Sequence, residues 1–188
     1  MEKGFKTWCE NESAALRKRL GRGPRDPLPA RELLYSLGAI VTAPRLIPGI
    51  SHFDLAQLTV SDSGAWSAIT TFYGDVPIVI VNDAHSARRQ ESNLHHEASH
   101  LICRHRPGKI TRIGTLTLRS YDEETEDQAS WLAGCLHLPR AALLAALRTG
   151  RSEEEISSHY VASAEMVRFR RGITGVDRQL NARRSRVL

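Results

Sequence analysis

The chain has little that could staple it together or hold it in a membrane. Its 188 residues include three cysteines, Cys9, Cys103 and Cys135. An odd number, at neither disulfide nor zinc-ligand spacing, excludes a disulfide scaffold and points to a reducing cytoplasm. Two of the three fall among apolar helical residues and read as small core side chains. No apolar run approaches the ~20 residues of a membrane span. The opening Met1-Glu2-Lys3-Gly4-Phe5-Lys6 leads into a charged helical stretch rather than an apolar core and a small-residue cleavage site, so no export signal is expected. There is no internal repeat.

What is present suits a single core. Apolar residues make up 41% of the chain, enough for one domain, or one domain with a small appendage. The net charge of +5 gathers around Arg17 to Arg25 and Arg168 to Arg186. It therefore permits an acidic partner without demanding one.

Residues 6–20 carry apolar side chains at helical spacing and stop at Gly21-Arg22-Gly23-Pro24, which predicts an amphipathic helix. A second short helix follows Pro29 and stops at Gly38. The period then changes to two. Residues 39–43, 55–60, 65–73 and 76–81 are rich in β-branched and aromatic residues and are expected as strands, the last two joined at Tyr73-Gly74-Asp75 as a hairpin. Residues 76–81 are also the expected exposed sheet edge for an added peptide. Ser86 would cap the next helix, which Pro107-Gly108 would close. A less regular alternating run covers 110–118. Ser120 and Glu123 have the form of a capping box, opening a helix that reaches Leu138-Pro139. Further helices are expected over 140–148, after the capping box Ser152 to Glu155, and from Ser163 to near Gly172, followed by a frayed end over 178–186.

The chemistry gathers in Leu94-His95-His96-Glu97-Ala98-Ser99-His100-Leu101-Ile102. At 3.6 residues per turn, His96 and His100 leave one helix face about a turn apart, close enough to hold one metal ion. With 8 His in the chain, the spacing His-Glu-x-x-His arises by chance in about one such chain in forty, so it needs context. Two neutral imidazoles and a third protein ligand would bind Zn²⁺, which lowers the pKa of a water toward ~7. Glu97 would then serve as general base and acid in amide hydrolysis. The third ligand is expected from Asp122, Glu123, Glu124, Glu126 or Asp127. Glu126 is favoured, because Ala129 and Ala133 on its face allow close helix approach. Glu123 is the runner-up, and Glu124 and Asp127 are expected in solvent.

His96-Glu97-Ala98-Ser99-His100, Glu126-Asp127-Gln128-Ala129-Ser130-Trp131-Leu132-Ala133-Gly134 and Leu136-His137-Leu138-Pro139 together resemble the ImmA/IrrE family of metallopeptidases. That family pairs a metal helix with a second helix of the pattern E-x-x-A-x-x-F-A-x-x-L-L-M-P. The resemblance runs over nearly the whole chain, with Leu132 in place of the usual Phe and His137 at a usually apolar position. It implies zinc on His96, His100 and Glu126, with Glu97 activating water. It also implies an α+β zincin-like fold, a small twisted sheet packed on the metal helix with a helical bundle after it. The expected division is a core over 1–139 and a C-terminal helical segment with a basic tail over 140–188. The implied activity is that of a regulatory protease cutting a helix-turn-helix repressor.

Other polar groups carry weaker expectations. His95 points about 100° from His96 and reads as a surface or supporting group. His105, nine positions beyond His96, is expected on the opposite side of the helix, and His137 at a partly exposed helix end. His52 and His85 have no spacing partner. Tyr73, Tyr121 and His137 are conceivable oxyanion donors. The rival reading is a DNA- or protein-binding regulator, with residues 153–172 and their Arg168, Arg170 and Arg171 as a helix-turn-helix beside a non-catalytic metal site.

Overall fold

The strand-forming segments assemble around the most β-branched of them. In the computed structural model, which describes residues 1–105, 109–113, 116–120 and 122–184, strand β1 (Ile40–Thr42) runs parallel to β3 (Val76–Val81), and β2 (Ala68–Tyr73) runs antiparallel to it. The order is β1-β3-β2. The β2–β3 turn forms as expected, with Gly74 at φ 57°, a left-handed backbone that glycine adopts at no steric cost. Pro77 pairs only with Phe72, because β1 pairs with residues 78–80 alone. A strand residue without an N–H fits there. The expectation of residues 76–81 as an open edge is corrected: β3 is paired on both flanks, so no peptide can add to it.

Residues 55–60 are not a strand. Ser51 accepts a hydrogen bond from the Asp54 amide (3.0 Å) and starts a helix over His52–Ala56, which continues as a π-helical turn over Gln57–Ser61. The Trp66 indole N–H donates to the Leu58 carbonyl (2.9 Å). Local capping and this closure outweigh the β propensity of Thr59 and Val60. The following strand begins at Ala68 rather than 65, because the Asn82 amide holds the carbonyls of Ser63 and Trp66 in a turn.

Labelling helices in chain order, α1 is Phe5–Arg19, α2 Ala30–Ser36, α3 His52–Ala56, α4 Ala87–Cys103 and α5 Glu123–His137. Ser86 caps α4 by accepting from the Arg89 amide. The cap of α5 is Asp122, which accepts from Thr125, and not Ser120. Ser120 ends a strand, β5 (Leu116–Ser120), paired antiparallel with β4 (Lys109–Ile113), so its backbone is extended. The single run expected over 110–118 is thus a two-stranded ladder, and Pro107-Gly108 lie outside the described residues.

Helices α1, α2, α4 and α5 enclose a core with the inward residues of the sheet, including Leu16, Leu33, Val79, Val81, Leu94, Ala98, Leu132 and Leu136. The last carbonyls of α5, which have no partner within the helix, are taken up by α1 and by a later helix. Ser13 donates to the Cys135 carbonyl (2.7 Å), Arg17 to Leu136 (2.6 Å) and Arg170 to Leu138 (2.9 Å). These buried guanidinium groups fix the register of the helix that carries Glu126.

A second apolar cluster is built by α6 (Arg140–Arg148), α7 (Glu153–Tyr160), α8 (Ala164–Thr174) and α9 (Val176–Arg184). The Ser152–Glu155 capping box forms at the start of α7. Helix α8 runs past Gly172 to Thr174, and α9 covers residues 178–184 of the stretch expected to fray, residues 185–186 lying outside the described residues. Leu180 packs on the cluster and Asp177 pairs with Arg171 (3.0 Å), giving this polar stretch tertiary support. The fold is α+β and consistent with a zincin-like arrangement. No single helix among the described residues is long and apolar enough to cross a membrane.

Candidate metal centre

Helix α4 presents His96 and His100 on one face, and the first turn of α5 presents Glu126 to them. Ala129 and Ala133, on the Glu126 side of α5, are both buried, and α4 and α5 pack along their lengths. Small side chains allow that approach. His100 Nε2 lies 3.1 Å from His96 Nε2, and the Glu126 carboxylate lies 3.1 Å from His96 Nε2 and 3.6 Å from His100 Nε2.

These separations test the donor set against a metal ion. Bonds of 2.0–2.1 Å in tetrahedral geometry put ligand atoms about 3.3 Å apart, and two imidazoles with a carboxylate form a usual open zinc set. The three edges bracket that spacing, so the residues fit a divalent ion. Burial, with His96 and His105 nearby, lowers the His100 pKa to about 3. Its ring is therefore neutral at physiological pH, with a lone pair for coordination.

Glu97 sits between the two histidines in sequence and is turned toward the sheet. The Thr70 hydroxyl on β2 donates to its Oε2 (2.5 Å). Burial raises the Glu97 pKa above the ordinary carboxylate range and Glu126 adds to the rise, while the Thr70 bond and His96 oppose it. A raised pKa makes the charged carboxylate a stronger base, the direction required of a group that takes a proton and returns it. The involvement of Thr70 had no signal in the sequence beyond its place on a strand.

The remaining candidates scatter. Glu123, Glu124 and Asp127 are exposed, and the Met1 amino group pairs with Glu124 (3.3 Å). His95 is fully buried, with its two ring nitrogens 3.0 Å from the Glu91 and Leu28 carbonyl oxygens. It is a structural side chain. His137 is not at an exposed helix end. It is 2% exposed, stacks on His95 with centroids 4.7 Å apart, and bonds the Tyr160 carbonyl. Tyr73 is 81% exposed at the hairpin tip, and Tyr121 lies outside the described residues. His52 is exposed, and His85 Nε2 meets the Ser63 carbonyl (2.8 Å).

The largest correction concerns His105. It does not face away from the site: its Nδ1 lies 3.0 Å from His100 Nδ1, and its Nε2 3.2 Å from Gln128 Oε1. The helix ends at Cys103 and Arg104 takes a left-handed backbone (φ 54°). Extrapolating the helical angle to residue 105 therefore fails. No glycine marks this stop, so nothing local announces it.

The arginines that suggested a DNA-reading helix are engaged within the fold. Arg168 pairs with Glu153 (2.6 Å) and Glu165 (3.3 Å), Arg170 is fully buried, and Arg171 pairs with Asp177. A family model described as the IrrE N-terminal-like domain, of a peptidase family, matches residues 50–171, a span that holds both helices of the site. No curated protein matches the chain.

Proposed function

Since the chain belongs to the ImmA/IrrE family of metallopeptidases, with the family match running through both site helices, we propose that it is a zinc-dependent endopeptidase. The observation that carries this reading is the approach of His96, His100 and Glu126 at 3.1–3.6 Å with Glu97 adjoining them. In this reading His96, His100 and Glu126 hold the ion. When bound, zinc supplies Lewis acidity that polarises the scissile carbonyl and lowers the pKa of a water toward ~7. Glu97 takes a proton from the attacking water as its oxygen bonds the carbonyl carbon. It then delivers that proton to the amine nitrogen as the C–N bond breaks, so the carboxylate is regenerated. Thr70 orients that carboxylate and favours its charged form.

The substrate we assign is a helix-turn-helix repressor, cut once to release transcription, inside the cell. The support is the two-helix motif resemblance, together with the burial of Arg170 and the ion pairs of Arg168 and Arg171 with acids of this chain. The test incubates the protein with a repressor encoded beside it. Glu97→Gln should keep zinc and lose cleavage by ~10²–10⁴-fold, whereas Glu126→Gln should lose zinc. Cleavage at the normal rate by Glu97→Gln would remove the assigned base.

A further inference from the structure

We propose that His105 and Gln128 are positioning residues that fix the His100 imidazole for metal binding. The inference rests on the metal-site reading above. His100 Nε2 is the nitrogen that faces His96 and Glu126, so it must carry the lone pair, and Nδ1 must then carry the proton. His105 Nδ1, 3.0 Å away, accepts that proton's hydrogen bond only if it is itself unprotonated. Neutral His105 then bears its hydrogen on Nε2, and Gln128 Oε1 stands 3.2 Å from it as an acceptor. With His100 Nε2 reserved for the metal, these two contacts run in one direction: His100 donates to His105, and His105 donates to Gln128.

The arrangement closes on itself. Gln128 lies two residues beyond Glu126 on α5, so the helix that offers the carboxylate also anchors the far end of the chain of hydrogen bonds. Metal-ligating histidines depend on a partner for the second ring nitrogen, which fixes tautomer and ring orientation and raises ligand basicity. His100 is almost fully buried (3% side-chain exposure), so water cannot readily replace the partner. The left-handed backbone at Arg104 turns His105 back toward the ring it supports.

The test measures metal affinity, not cleavage. Metal-free wild type and variants, each checked by thermal melting, are titrated with Zn²⁺ and Co²⁺ against a chelator. His105→Leu should weaken binding by ~10–100-fold. His105→Asn should recover most of the loss, because its amide oxygen can occupy the place of Nδ1 as an acceptor. In ¹⁵N-histidine wild type loaded with zinc, a scalar coupling across the hydrogen bond should join His100 Nδ1 and His105 Nδ1. That readout does not depend on any variant folding. Equal affinity in His105→Leu, failure of Asn to do better than Leu, or no coupling would each overturn the proposal. If wild type binds neither metal, the metal-site reading falls and takes this inference with it; if wild type binds and His105→Leu matches it, only the inference falls.

Discussion

Thr70 and Glu97 join the sheet to the metal helix through one hydrogen bond, from the Thr70 hydroxyl to Oε2. The bond stabilises the charged carboxylate and opposes the rise that burial imposes on the Glu97 pKa. Thr70→Val keeps the side-chain shape and removes the donor, so the Glu97 pKa should rise further. Charge-assisted bonds contribute about 1.5–3 kcal/mol, and ~1.4 kcal/mol is one pKa unit. The acid limb of the cleavage pH profile should therefore move up by about one to two units, while Thr70→Ser should leave it in place. An unmoved acid limb in Thr70→Val would separate Thr70 from the reacting carboxylate.

Glu10 and Arg170 form the ion pair that ties α1 to α8 behind the site. Arg170 is fully buried, and its Nη2 lies 2.5 Å from Glu10 Oε1. Glu10 also accepts from the Arg140 amide (3.0 Å). Removing one member of such a pair strands the other as a buried charge, which costs about 3–5 kcal/mol. Glu10→Gln should lower unfolding free energy by ~3 kcal/mol in urea titrations. Arg170→Met, which leaves the partly exposed Glu10 carboxylate access to water, should cost less. The reverse order would contradict this account.

Gly134 makes a separate demand on the same arginine. A Cβ at this position would stand 3.1 Å from Arg170 Cδ, closer than side chains normally pack. Arg170 cannot yield easily, since its Nε bonds the Leu138 carbonyl and its Nη2 bonds Glu10. The helical preference for alanine over glycine, ~1 kcal/mol, should be outweighed by overpacking of about 1–3 kcal/mol. Gly134→Ala is expected to melt at a lower temperature than wild type, and a higher melting temperature would show that Arg170 moves freely.

Periodicity made the long elements legible: α1, α4 and α5 and the β2–β3 hairpin follow from regular apolar spacing and local caps such as Ser86. The geometry at residue 105 was not legible, because a single left-handed residue at Arg104 redirects the chain and carries no glycine to announce it. The His52–Ser61 segment misled for a related reason. Alternating Leu58 and Val60 mimic a strand, while the deciding contacts, Ser51 to Asp54 and Trp66 to Leu58, are a cap and a tertiary bond. The place of β3 at the centre of the sheet depends on parallel pairing with β1, some forty residues earlier, which no local pattern encodes. Thr70 became visible as a site residue only once β2 lay against α4.

His137 and His95 link stability to pH. Burial lowers the His137 pKa to about 4, against the bonds its ring makes, and burial with the neighbouring His137 and Arg17 lowers His95 well below the ordinary value. Between about pH 6.5 and 4 the unfolded chain protonates His137 while the folded chain does not, so the unfolded state binds more protons and stability falls as the pH falls. A depression from 6.5 to about 4 corresponds to a loss of roughly 3 kcal/mol by pH 4. The loss from His137 flattens below that, where both states carry the proton. His95 shifts in the same direction and adds to the decline. His137→Gln can still donate to the Tyr160 carbonyl but does not titrate. Its unfolding free energy, measured in urea at steps from pH 7 to 4, should decline less steeply than that of wild type. Parallel curves would show that His137 protonates equally in both states.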